Sequence, residues 1–134
     1  MITRVNLENI QVLWPQVSEL IKPALKIIGT HSDDDVRVGL LTQKATLWVQ
    51  WENEKVEAAF ITEFIPYPQK LTLRLWLAGA VKGAKVKYAE VRKILGEWAK
   101  AHGCKEWEVF EGRYGWMRLF PELKFSGVWL RADL

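Results

Sequence analysis

The chain has 134 residues, the size of one domain, and a net charge of +3. Hydrophobic residues make up 49% and charged residues 26%. That balance excludes a largely disordered chain and permits an anionic partner without requiring one. No apolar run approaches the ~18 residues of a membrane helix, so no membrane partner is expected. The start, Met1-Ile2-Thr3-Arg4-Val5-Asn6, lacks a basic-then-apolar leader pattern. Cys104 is the single cysteine and cannot form an internal disulfide, which suits a reducing cytoplasm or the inside of a particle. With His31 and His102 as the only histidines, no metal site is expected.

Eight tryptophans stand at 14, 48, 51, 76, 98, 107, 116 and 129. They fall in different elements and form no single stripe. That spacing predicts core and rim packing rather than one stacking surface.

The elements follow in chain order. Ile10, Leu13, Val17, Leu20, Ile21, Ala24, Leu25 and Ile28 recur at helical spacing. Pro15 suits a first helical turn, Pro23 predicts a kink or two consecutive helices, and Gly29 is the stop. Ser32 with Asp35 reads as a capping box for a short helix running to about Thr42. The Asp33-Asp34-Asp35 run is therefore read as a favourable first turn, not as a metal site. Thr46 to Trp51 reads as a strand, Glu52 to Lys55 as a turn, and Val56 to Ile65 as a second strand ended by Pro66-Tyr67-Pro68. Leu71, Leu73, Leu75 and Leu77 alternate with Thr72, Arg74, Trp76 and Ala78, the clearest strand in the chain.

A Gly/Ala/Lys loop from Gly79 to Lys87 opens a second strong helix, with Val91, Ile94, Leu95, Trp98 and Ala99 on one face and Gly103 at its end. Glu106 to Phe110 reads as a strand, Arg113 to Leu123 as a short helix, and Val128 to Ala132 as the final strand. The order predicts an α+β domain over residues 1–134, with one twisted, mixed but mostly antiparallel sheet flanked by helices. Strands 71–78 and 106–110, joined by a helix, should be parallel.

The unit from Leu71 to His102 is the one that bears on chemistry. A strand feeds a glycine-containing loop, and the loop opens a helix whose free N–H groups can hold phosphate. Between 82 and 105 the basic residues are Lys82, Lys85, Lys87, Arg92, Lys93, Lys100 and Lys105, against Glu90 and Glu97. This excess is not organised like a groove reader, so nucleic acid is not expected as a partner. Cys104 lies at a helix C-terminus, the wrong end to lower a thiol pKa, so no Cys104–His102 nucleophile is expected. Arg113, between Gly112 and Gly115, can grip an anion or brace a turn.

Several strings resemble the GNAT (Gcn5-related N-acetyltransferase) fold, and in particular short phage-encoded proteins of that fold. They are Ala59-Phe60-Ile61-Thr62-Glu63-Phe64 with Tyr67-Pro68, then Leu71 to Gly79, Glu97 to Cys104, Glu111-Gly112-Arg113-Tyr114-Gly115-Trp116, and Leu119 to Phe125. The resemblance spans roughly residues 7 to 134 and implies transfer of an acyl group from acetyl-CoA or another acyl-CoA to an amine.

It further implies that pantetheine lies along Leu71 to Ala78, with Leu77 and Gly79 near it. The pyrophosphate would lie on Lys82 to Tyr88, through Lys82, Lys85, Val86, Lys87 and Tyr88. The family's loop pattern, Arg/Gln-x-x-Gly-x-Gly/Ala, falls on Gly83, Val86 and Tyr88 and is not matched. Side chains at 86 and 88 predict that acetyl-CoA binds weakly or not at all.

The resemblance also implies a carboxylate that takes the amine proton, for which Glu63, then Glu111, are the candidates by position. The resemblance puts Phe120, which cannot donate a proton, at the position of the family's tyrosine that protonates the leaving thiolate, and leaves Tyr114 as a substitute. Trp116 should pack against the sheet, with Leu119 and Phe120 on the same face. The acceptor would be a small amine or a protein amine. The alternative is a non-catalytic phage protein that binds a protein partner in the virion or the host. Host cytoplasm or phage virion is the expected location.

Overall fold

The computed structural model describes residues 1–109, 115–127 and 130–134. Its elements are β1 (Ile2–Arg4), a 3-10 turn (Leu7–Asn9), α1 (Ile10–Ile28), α2 (Asp33–Leu41), β2 (Thr46–Glu52) and β3 (Lys55–Tyr67). They continue with β4 (Lys70–Ala80), α3 (Tyr88–Ala101), β5 (Glu106–Val109) and α4 (Gly115–Leu119). Five strands form one sheet in sequence order. Pairs β1–β2, β2–β3 and β3–β4 are antiparallel. The pair β4–β5 is parallel from Thr72↔Glu106 to Leu75↔Val109, as the intervening helix requires.

Two apolar cores lie on opposite faces of the sheet. On one, Leu13, Val17, Ile21, Leu25 and Ile28 of α1, with Val36 and Leu40 of α2, pack on Leu47, Val49, Ala59, Ile61 and Leu77. On the other, Val91, Leu95 and Ala99 of α3, with Phe120, pack on Trp48, Phe60, Leu73 and Leu75. All seven described tryptophans lie in these cores or pack against them. Trp129 lies outside the described residues.

The structure departs from the sequence reading at several elements. Pro15 and Pro23 both sit inside one unbroken α1, and Pro15 is a turn further in than expected. Five buried side chains at about 1.5–3 kcal/mol each outweigh two interior prolines at about 3 kcal/mol each. Gly29 ends the helix in the left-handed conformation, and Ser32 with Asp35 forms the capping box. Strand β3 runs through Pro66 to Tyr67 rather than stopping at Ile65, and β4 continues through Gly79 to Ala80. Strand β1 was not expected; it adds an edge to β2 by pairing Ile2 with Gln50.

The short helix is observed over Gly115–Leu119. In it Trp116 stacks on Phe120 at 5.9 Å, but Leu119 is 41% exposed rather than packed. Residues 130–134 carry no strand, so the expected final strand is not seen there. The starts of that strand and of the short helix lie outside the described residues, as does Phe110.

One irregularity shapes β4. Ile61 pairs with Leu77 and Thr62 with Leu75, so Trp76 is an extra residue, a bulge. The alternation is reset there. Leu73 and Leu75 enter the α3-side core, whereas Leu77 enters the α1-side core. Among the described residues no helix is long and apolar enough to cross a membrane.

Candidate active site

The bulge at Trp76 lies one residue beyond the last described β4–β5 pair, Leu75↔Val109. From there β4 runs on to Ala80 with no further β5 partner among the described residues. A bulge bends its strand and increases its twist. Leu77 is 1% exposed, so its side chain belongs to the core. Gly79 faces α1: a Cβ there would lie 1.8 Å from the Leu20 carbonyl oxygen. Close helix–sheet packing therefore requires this glycine.

The loop from Val81 to Lys87 leads from β4 into α3. Lys82, Lys85 and Lys87 are exposed and form no ion pair among the described residues. Val86 and Tyr88 pack against the α3-side core, Tyr88 edge-on to Phe120 at 5.8 Å. Neither has a positive φ; in this loop only Gly83 does, at 82°. Lys87 is the N-cap of α3 and makes no side-chain cap, so the first amides of the helix carry no capping side chain. Buried Gln50 of β2 reaches the loop from beneath. Its Nε2 donates to the Lys85 carbonyl at 3.0 Å, and its Oε1 accepts from the Lys87 amide at 3.0 Å.

On the α1 face of the sheet, three adjacent strands present Glu63, Arg74 and Glu108 side by side. Arg74 lies 3.4 Å from each carboxylate. The Tyr67 hydroxyl donates to Glu108 at 2.8 Å. Burial pushes the Glu63 carboxyl above the ordinary carboxylate range, and the Arg74 charge only partly offsets this. The α1–α2 connection sets His31 edge-on against Trp76 at 4.9 Å. Farther along the chain, Arg131 donates to the Ile28 carbonyl at 2.9 Å, at the C-terminus of α1.

The residues expected to form a site thus fall into two groups. Lys82, Lys85, Val86, Lys87 and Tyr88 lie together around the α3 N-terminus, and Leu77 and Gly79 lead into them. Glu63 lies on the other face of the sheet. Glu111, Arg113 and Tyr114 lie outside the described residues. Trp116 packs against the α3-side core. Phe120 is 2% exposed beneath Tyr88, Trp107 and Trp116, so it is a core residue.

Sequence reasoning missed Gln50, Arg74, Glu108, His31 and Trp76. A glutamine amid the strand formers of Leu47 to Trp51 was the one available signal. Burial pushes the Cys104 thiol up, away from nucleophilic use. No group of metal-ligating residues occurs among the described residues.

No protein-family model matches the sequence, and no curated protein matches it. Solved structures do resemble it across its whole length. An aminoglycoside acetyltransferase from an uncultured soil sample, in complex with sisomicin, matches with a TM-score of 0.75 at 11% identity, over 100% of this chain and 95% of that one. Ribosomal-protein-alanine N-acetyltransferase from Brucella melitensis biovar Abortus matches with a TM-score of 0.69 at 12% identity, over 100% and 98%. An integron cassette protein from the mobile metagenome of V. cholerae matches with a TM-score of 0.70 at 16% identity, over 99% and 91%. The chain therefore has the GNAT acetyltransferase fold.

Proposed function

We propose that the protein is an acyl-CoA-dependent N-acyltransferase with a non-consensus phosphate loop, acting on a small amine or a protein amine. The observation that carries this reading is the coincidence of a β4 edge without a described partner and the uncapped start of α3. Pantetheine amides can pair with such an edge, and helix N–H groups with the lysines beside them can hold pyrophosphate. Val86 and Tyr88 depart from the family's small residues, but both turn their side chains into the core, which keeps the outer side of the loop clear.

In this reading the donor lies on the α3 side and the amine approaches from the α1 side. Glu63, its proton affinity raised by burial, takes a proton from the ammonium group. The freed amine nitrogen attacks the thioester carbon. The carbon–sulfur bond breaks, the attacking nitrogen gives up its second proton to solvent, and the thiolate leaves to be protonated by solvent or by Tyr114. Glu63 and Glu108 against one Arg74 leave a net negative surface, which favours a cationic acceptor. The acetyltransferases that share the fold, one of them in complex with sisomicin, agree with amine chemistry.

The second reading is a non-catalytic phage protein acting in the virion or on a host factor. It is favoured by Phe120, a buried residue without a proton to donate, whose place in the sequence resembles that of the family's proton-donating tyrosine. Thiol release from acetyl-CoA, followed against a panel of primary amines, separates the two. The first reading predicts amine-dependent release that falls about 100-fold or more in Glu63→Gln. Donor binding without any release supports the second.

A further inference from the structure

Gln50 is 2% exposed, and its described side-chain hydrogen bonds run to three partners. Nε2 donates to the Lys85 carbonyl at 3.0 Å and to the Glu57 carboxylate at 3.2 Å; Oε1 accepts from the Lys87 amide at 3.0 Å. Glu57 is the extra residue of a second bulge, because Gln50 pairs with Ala58 and Trp51 with Val56. One side chain thus ties the α3-side face of β2 to both ends of the Lys85–Lys87 segment.

A trans peptide points its carbonyl and its N–H in opposite directions. Holding the Lys85 carbonyl inward against Gln50 therefore turns the Val86 N–H outward. That N–H has no acceptor among the described residues. The Lys87 amide, held inward, is withdrawn from any ligand. No glycine is needed at 86 for this arrangement, because the buried amide of Gln50 fixes the peptide plane.

We infer that Gln50 is a positioning residue for the donor's pyrophosphate: through the Lys85 carbonyl it presents the Val86 N–H to that group. The inference rests on the acyl-CoA reading above and adds a residue to it. It also accounts for a loop that can work without the family's small residues.

The test compares the parent with Gln50→Glu, which keeps the shape and the acceptor for Lys87 but loses the donor to Lys85 and Glu57 and sets a second carboxyl beside Glu57. Gln50→Met, which loses both, is the second variant should the first not fold. Calorimetry with acetyl-CoA and NMR titration with S-acetylpantetheine, which lacks the pyrophosphate, are run on the folded variants. The expected result is an acetyl-CoA Kd raised about tenfold, with S-acetylpantetheine binding unchanged. In Gln50→Glu, lowering the pH toward 5 should recover part of the affinity, because a protonated carboxyl again donates to Lys85.

A folded variant that binds acetyl-CoA as tightly as the parent overturns the role of Gln50 and leaves the acyl-CoA reading standing. An equal loss for both ligands overturns it too, since that marks a general structural effect. A parent that binds no acetyl-CoA overturns both.

Discussion

Gly79 of β4 and Leu20 of α1 meet backbone to backbone: a Cβ on Gly79 would lie 1.8 Å from the Leu20 oxygen and 2.6 Å from its carbonyl carbon. The contact is with helix backbone, not with the flexible end of a side chain, so it cannot be relieved locally. It fixes α1 on β4 just beyond the bulge at Trp76, beside the strand edge proposed to hold the donor.

Gly79→Ala should therefore destabilise the protein by about 3 kcal/mol, the upper part of the overpacking range. Thermal unfolding should show a Tm lower by roughly 10 °C. A Tm within 2 °C of the parent, on the order of experimental scatter, would mean that α1 does not pack this tightly.

Glu63 gives a pH prediction with an unusual sign. Its folded-state pKa is raised by burial, so the folded protein binds its proton more tightly than the unfolded chain does. Its contribution to stability is complete below the unfolded carboxylate pKa and is lost as pH rises through the folded value. Glu63→Gln removes that loss. The Tm of the variant relative to the parent should thus rise between pH 4 and pH 7. A difference that stays flat, or falls, would contradict the burial assigned to this carboxylate.

Phe120 should matter more to stability than Trp116. Phe120 is 2% exposed and touches the rings of Tyr88, Trp107 and Trp116, whereas Trp116 is only partly buried. Phe120→Ala should cost about 3–5 kcal/mol by urea unfolding, and Trp116→Ala clearly less. The reverse order would displace Phe120 from the core.

Much of this fold was legible because local chemistry and tertiary packing agree. The Leu/Ile/Val spacing of α1, the Ser32–Asp35 box and the Leu71–Leu75 alternation each state the element that forms. Elements that rest on tertiary partners were not legible. Strand β1 is three residues held by pairing with β2, and Pro23 stays helical because the face around it is buried. The bulge at Trp76 was hidden because a regular alternation of leucines continues across it in the sequence, although Leu77 lies on the other face. In the candidate site, the lysine-rich loop stands out by residue type, and Glu63 by its place in the family resemblance. The brace from Gln50 and the Glu63–Arg74–Glu108 row depend on strand register and were not legible.

The three exposed loop lysines give an electrostatic prediction. Replacing Lys82, Lys85 and Lys87 together with Ala should weaken acetyl-CoA binding about tenfold at low salt. The difference should shrink toward 1 M salt, where the screening length is ~3 Å. A loss that does not depend on salt would point to a change in loop structure instead.

The most direct test of the account is a backbone NMR titration of the parent with acetyl-CoA. The predicted result is a set of saturable shifts at the amides of Val86, Ala89 and Glu90 and along Trp76 to Ala80, with α2 unmoved. Shifts confined to other surfaces, or none at millimolar ligand, would contradict donor binding between the β4 edge and the start of α3.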